Sequence, residues 1–154
     1  LEPSCPICGP SCGKFKNSTD HITHMSAHIL FDKRVHLDAC GFCLQGPMGG
    51  CRFYLRKDRE QLNYMASHCV FMPKHLSYGP ASRSIPSSPC SNVPKVCPLC
   101  PSDAPAIWKY HLQRHLVLTH PASAINQFGY LWFVTANEIT GMRAVVEKAF
   151  VRAR

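Results

Sequence analysis

Three Cys-x-x-Cys pairs constrain this chain more than any other feature: Cys5/Cys8, Cys40/Cys43 and Cys97/Cys100. Two of them are answered downstream by histidine pairs, His24/His28 and His115/His120. Two residues between cysteines let a tight knuckle aim both thiolates at one point. Two histidines about a helical turn apart share one face of a helix, so four donors can complete a tetrahedron around zinc. A site of this kind folds a segment too short to bury a core of its own. The sequence therefore reads as small zinc-stapled α+β modules, ββα-like in outline and able to pack together, plus a C-terminal amphipathic helix.

The 154 residues suffice for one ordinary domain or for several metal-held ones. Ten cysteines in a secreted chain would suggest disulfides, but pairs with trailing histidines favour zinc in a reducing compartment, nucleus or cytosol. Asn17-Ser-Thr19 matches a glycosylation acceptor, a motif common by chance and silent inside the cell. The opening residues do not read as a signal peptide. The longest apolar run, near Tyr130 to Val134, is far too short to span a bilayer, so no membrane partner is expected. Leu1 in place of methionine fits a fragment or a processed piece. The net charge of +8 suits a polyanionic partner, nucleic acid above all.

Residues 1–30 form the first module, with a knuckle and short hairpin over Cys5–Cys12 and a helix from about Ser18 to Leu30. Asn17 to Asp20 supply good N-cap residues for that helix. The middle module, 39–76, opens at Cys40-Gly-Phe-Cys43; Cys51 to Leu55 reads as a strand, and Leu62, Met65, Ala66 and Cys69 read as one helical face. Residues 77–95 are rich in Ser and Pro and read as a linker. The third module, 96–121, carries a helix from Trp108 to Thr119, with Pro121 as its stop. Residues 127–154 supply an aromatic, strand-like run and then a helix opened by a capping box, Thr135-Ala-Asn-Glu138, with Ile139, Met142, Val146, Ala149 and Phe150 on its apolar face.

The third module has the spacing Cys-x2-Cys-x14-His-x4-His, which makes Cys97, Cys100, His115 and His120 its ligands. The first has Cys-x2-Cys-x15-His-x3-His, giving Cys5, Cys8, His24 and His28, with Cys12 as a competitor for Cys5. For the middle pair the partners come from Cys51, His68, Cys69, His75 or Cys90. His68 and Cys69 are adjacent and would point about 100° apart on a helix, so they do not share one metal. A cysteine such as Cys51 or Cys90 can equally be a small buried apolar residue. His21, His36 and His111 read as packing or solvent-facing residues.

Modules one and three resemble Cys2His2 zinc fingers, with Leu112 at the core-leucine position of the third and His21 in that slot of the first. Across most of its length the chain also resembles a group of cysteine/histidine-rich proteins of mushroom-forming fungi. The stretches that carry this resemblance are Met25-Ser-Ala-His-Ile-Leu30, Cys40-Gly-Phe-Cys43, Ser88-Pro-Cys-Ser-Asn-Val-Pro94 and Trp108-Lys-Tyr110. It implies cysteines at the positions of Cys51, Cys69 and Cys90 and favours Cys69 over His68 as a ligand. It also implies zinc and a nuclear setting. The expected middle set is Cys40, Cys43, Cys69 and Cys90, with the fourth position open to Cys51, His68 or His75.

These features lead to an expectation of two or three zinc ions and of nucleic-acid binding, DNA first. Docked as a finger, module three would present Trp108, His111 and Arg114 to bases, and module one Asn17, Asp20 and Thr23. Arg114 suits guanine and Asn17 adenine. Arg52, Arg56, Lys57, Arg59 and Lys109 would contact phosphates. The alternative is a zinc-built protein-interaction module that docks through the helix from Ile139 to Phe150. Catalysis is not expected: no metalloprotease or zinc-deaminase motif is present, and none of the nine acidic residues stands beside a ligand pair.

Overall fold

The computed structural model describes residues 2–120 and 122–153, with the side chains of residues 2–10, 13–120 and 125–148. The first long helix, α1 (Ser18–Phe31), begins where Asn17 accepts a hydrogen bond from the Asp20 amide at 2.8 Å. That bond satisfies one of the amides a helix start leaves open. A short turn of helix, α2 (Tyr78–Ala81), precedes the strand pair β1 (Pro94–Lys95) and β2 (Ile107–Trp108). The two strands are antiparallel, with Pro94 opposite Trp108 and Lys95 opposite Ile107, and the knuckle Cys97–Cys100 lies between them. The chain then enters α3 (Lys109–Thr119) and, after short 3-10 turns, ends in α4 (Ala136–Ala153).

One apolar core gathers residues from every part of the chain: Ile22 of α1, Phe42, Phe53, Leu62, Tyr78, Val93, Trp108, and Met142 and Val146 of α4. Its centre is aromatic, with Phe42, Phe53 and Trp108 packed edge-on or tilted at ring separations of 5.1–5.5 Å. Gly41 makes this possible, because a Cβ there would sit 2.5 Å from the Trp108 ring. Modules that the sequence separates thus share their interior. The apolar face of α4 also turns inward: Met142 and Val146 are buried, and Arg143 lies 4.5 Å from the Phe31 ring centre of α1. Ala149 and Phe150 lie outside the described side chains.

Four local expectations change. Residues 5–12 carry a 3-10 turn at Gly9–Cys12 rather than a hairpin, and no strand pair precedes α1 among the described residues. The stretch from Leu62 to Cys69 is not a helix. Backbone bridges Leu55↔Leu62 and Arg52↔His68 draw it into an antiparallel pairing, which leaves Met65 98 % exposed. Tyr130 to Val134 forms no strand, since the amides of Leu131, Trp132 and Phe133 bond back to Phe128 and Gly129. Residues 90–94, expected in a linker, are all buried.

The burial of residues 90–94 is explained by a polar network. Thr135 caps α4 by accepting from the Glu138 amide at 3.1 Å, but the Glu138 carboxylate does not fold back to complete the capping box. It points inward and accepts from the Ser91 amide (3.0 Å), the Ser91 hydroxyl (2.6 and 2.9 Å) and the Tyr110 hydroxyl (2.5 Å). Lys109 donates to the same Ser91 hydroxyl at 2.6 Å. Asn92 donates to Ser26 and accepts from the Tyr110 amide, each at 3.0 Å. Residues of α1, β1's approach, α3 and α4 are therefore joined through hydrogen-bonded buried groups, which favours one docking arrangement. Glu138→Ala leaves the Ser91 amide and the Ser91 and Tyr110 hydroxyls without their acceptor. Equilibrium unfolding should show a loss of about 1–3 kcal/mol for each donor left unpaired.

Candidate metal centres

Three groups of four Cys and His residues converge, with the donor atoms of each group all within 4.8 Å of one another: Cys5, Cys8, His24, His28; Cys40, Cys43, Cys51, Cys69; and Cys97, Cys100, His115, His120. A tetrahedral zinc with Zn–S of about 2.3 Å and Zn–N of about 2.05 Å sets S···S at about 3.8 Å and S···N at about 3.5 Å. The first group has Cys8 Sγ 3.3 Å from His28 Nε2. The third has S···N distances of 3.2, 3.3 and 3.4 Å. In the middle group Cys43 and Cys51 are 3.5 Å apart, and Cys40 and Cys69 3.7 Å. These spacings fit a shared ion, and they far exceed the roughly 2.05 Å of a disulfide.

The donor chemistry also calls for a cation. The Cys40 thiol, bonded to Cys43 and Cys51, is pushed far up, while its hydrogen bond to Cys43 pulls that neighbour down. Cys51 is lowered as well, by its hydrogen bond with Cys40, whereas Cys69 is raised. Burial and the adjacent Cys97 push the Cys100 thiol up to about 11. A divalent ion reverses this by binding the thiolates and releasing their protons.

Cys51 completes the middle group, and Cys90 stands outside it. The backbone supplies the reason. Arg52 and His68 exchange both of their N–H···O bonds, at 2.9 and 2.7 Å. In an antiparallel ladder the next pair outward, Cys51 and Cys69, is then the close, non-hydrogen-bonded one, with side chains on the same face. Cys90 is instead a core residue, 2 % exposed, with its sulfur 3.4 Å from the Asn92 amide and 3.7 Å from the Tyr110 hydroxyl. Burial pushes its thiol up. His68 and His75 are exposed and take no part, and Cys12 lies outside the described side chains.

A second layer supports the first group. His28 turns Nε2 toward Cys8 and places Nδ1 3.3 Å from the Asp32 carboxylate, one helical turn on. Arg34 holds that carboxylate with bonds of 2.7 and 2.9 Å and lowers its pKa to about 2, while burial lowers that of His28. The imidazole is thus kept neutral with its free nitrogen aimed at the site, as a metal ligand requires. Asp32 was not singled out from sequence; its spacing of four from a ligand histidine was the available signal.

Two histidines outside the groups join them. His21 of α1 donates from Nε2 to the Phe42 carbonyl at 2.6 Å, and His111 of α3 donates from Nε2 to the Ala39 carbonyl at 2.9 Å. Both carbonyls belong to the middle knuckle, and both rings are buried. His111 is therefore taken up internally, as is Lys109, which is 8 % exposed and bonded to Ser91. Arg114 pairs with Asp38, and Trp108 is buried beside Gly41. Asn17 is exposed but occupied as the cap of α1. Of the expected nucleic-acid contacts, Arg52, Arg56, Lys57 and Arg59 remain exposed and form no ion pair among the described residues. Among the described residues no helix is long and apolar enough to cross a membrane.

Comparison with protein-family models, curated proteins and solved structures finds no match. The protein's identity thus rests on its own geometry: a chain with three four-ligand Cys/His groups, each able to hold a metal ion.

Cys51→Ser should lower the metal count of the folded protein by one in native mass spectrometry, while Cys90→Ser should leave it unchanged. Asp32→Ala should weaken metal binding at the first group about 10- to 100-fold, read by competition with a chromophoric chelator. His111→Leu should keep every metal yet cost about 1–3 kcal/mol, because the Ala39 carbonyl loses its donor inside the protein.

Proposed function

We propose that this is a zinc-binding, Cys2His2-related nuclear protein that binds nucleic acid through phosphate contacts and is not an enzyme. The observation that carries the reading is the exposed basic hairpin. Arg56 and Gln61 close its tip through a backbone bond of 2.9 Å, and Arg59 takes a left-handed conformation there (φ 60°). Arg52, Arg56, Lys57 and Arg59 then project from one ribbon whose base is tied to the middle metal group through Cys51 and Cys69. Filling all three groups with zinc takes the formal charge from +8 to about +6, so the chain stays cationic.

Zinc is favoured by the mixed sulfur and imidazole donors in groups of four. Four protein ligands per group leave no open coordination position, which supports a structural rather than a catalytic ion. Of the finger positions that would read bases in the third module, Trp108 and His111 are buried and Arg114 is paired with Asp38, which favours binding with little sequence preference. The antiparallel strand pair followed by α3 supports the finger likeness of the third module better than that of the first. The likeness to cysteine/histidine-rich fungal proteins agrees with zinc and a nuclear setting and adds no activity.

Mobility-shift titrations against salt test the proposal. Log K should fall linearly with log salt, with a slope of about −0.7 to −0.9 for each phosphate contacted. Each of Arg56→Ala, Lys57→Ala and Arg59→Ala should flatten that slope by about 1. Arg114→Ala should leave it in place. Absence of binding to both DNA and RNA at low salt would remove this function.

A further inference from the structure

The Ser/Pro-rich stretch before Cys90 contains a tight turn, closed by two backbone bonds of 3.0 Å between Ile85 and Ser88. Ser87 at the tip is exposed and Ser88 is half-buried. Pro89 follows directly and packs on α4, where a Cβ on Gly141 would sit 2.6 Å from the Pro89 ring. One side of the serine is therefore anchored, while the other is a small surface loop that only two backbone bonds hold shut.

Ser88 also lines a cleft of about 560 Å³ between the start of α1 and the outer face of α4. Lys16 and Lys148 line the same cleft, together with Thr19 and Thr23. Neither lysine forms an ion pair among the described residues. The one carboxylate in the lining, Asp20, accepts from the Lys16 amide at 3.1 Å. Two lysines and the positive end of a 14-residue helix thus border the same cleft as this uncharged hydroxyl, against one carboxylate. A Ser-Pro dipeptide in an exposed turn is the substrate pattern of proline-directed kinases, and this cleft matches the charge of the product.

We propose that Ser88 is a phosphoacceptor for a proline-directed serine/threonine kinase, and that its phosphate seats against Lys16 and Lys148. In the transfer, Ser88 Oγ attacks the γ-phosphorus of ATP and the bond to the β,γ-bridging oxygen breaks. ADP leaves, and the hydroxyl proton passes to the kinase's base. The product carries a charge of about −1.5 to −2 and three acceptor oxygens. Held by both lysines, it ties the turn to α1 and α4, which already pack on each other.

Incubation of the metal-loaded protein with a proline-directed kinase and ATP, followed by peptide mass mapping, tests the site. One phosphate is expected at Ser88, absent in Ser88→Ala and retained in Ser87→Ala; the alanine keeps both backbone bonds to Ile85. Phosphorylation should raise Tm by about 2–4 °C. The double variant Lys16→Gln/Lys148→Gln should accept the phosphate without that rise. No phosphate at Ser88, a phosphate that leaves Tm unchanged, or a rise that survives in the double variant would each overturn the proposal.

Discussion

The five residues from Ala39 to Cys43 hold this protein together. Their thiolates enter the middle metal group, and their carbonyls receive His21 from one side and His111 from the other. Gly41 lets the Trp108 ring close over the turn, and Phe42 sits at 0 % exposure in the centre of the core. A zinc ion in a small module contributes on the order of 10–16 kcal/mol of apparent folding free energy, comparable to the whole stability of an ordinary domain. The surfaces that the two outer metal groups dock against are thus themselves set by the middle one.

That arrangement changes which finger positions stay accessible. In a string of independent fingers, each helix offers one face to a groove. Here His111 and Trp108, two of the three such positions of the third module, pack on the middle knuckle, and His21 docks α1 on the same knuckle from its core slot. Arg114 is held by Asp38 on the segment leading into the knuckle. Arg52, Arg56, Lys57 and Arg59 of the hairpin stay exposed, as the proposed phosphate contacts require. The Ser91, Lys109, Tyr110 and Glu138 network adds a second tie that brings α4 onto the body.

The parts legible in the sequence were those fixed by short-range geometry. The outer groups followed from knuckle spacing and from histidines one helical turn apart, and α1, α3 and α4 from caps and apolar period. The middle group was only half legible, because Cys51 and Cys69 meet through strand pairing. Spacing of apolar residues between Leu62 and Cys69 mimicked a helix, and no local signal distinguished it from an extended ribbon. Cys90 was one of several candidate ligands, favoured by the resemblance to cysteine/histidine-rich fungal proteins, yet its sulfur accepts from the Asn92 amide inside the core. Residues 90–94 read as linker because Ser91 and Asn92 are polar. Their burial depends on partners 18 to 66 residues away, at Lys109, Tyr110, Glu138 and Ser26. Such pairings leave no periodic trace in a single sequence.

X-ray absorption at the zinc edge, combined with metal analysis of the purified chain, tests the central claim most directly. Three filled groups predict three zinc ions per chain, with eight sulfur and four nitrogen donors among them. Two zinc ions per chain, with sulfur and nitrogen in equal numbers, would mean that the middle cysteines hold no metal and that the knuckle is not the centre of the fold.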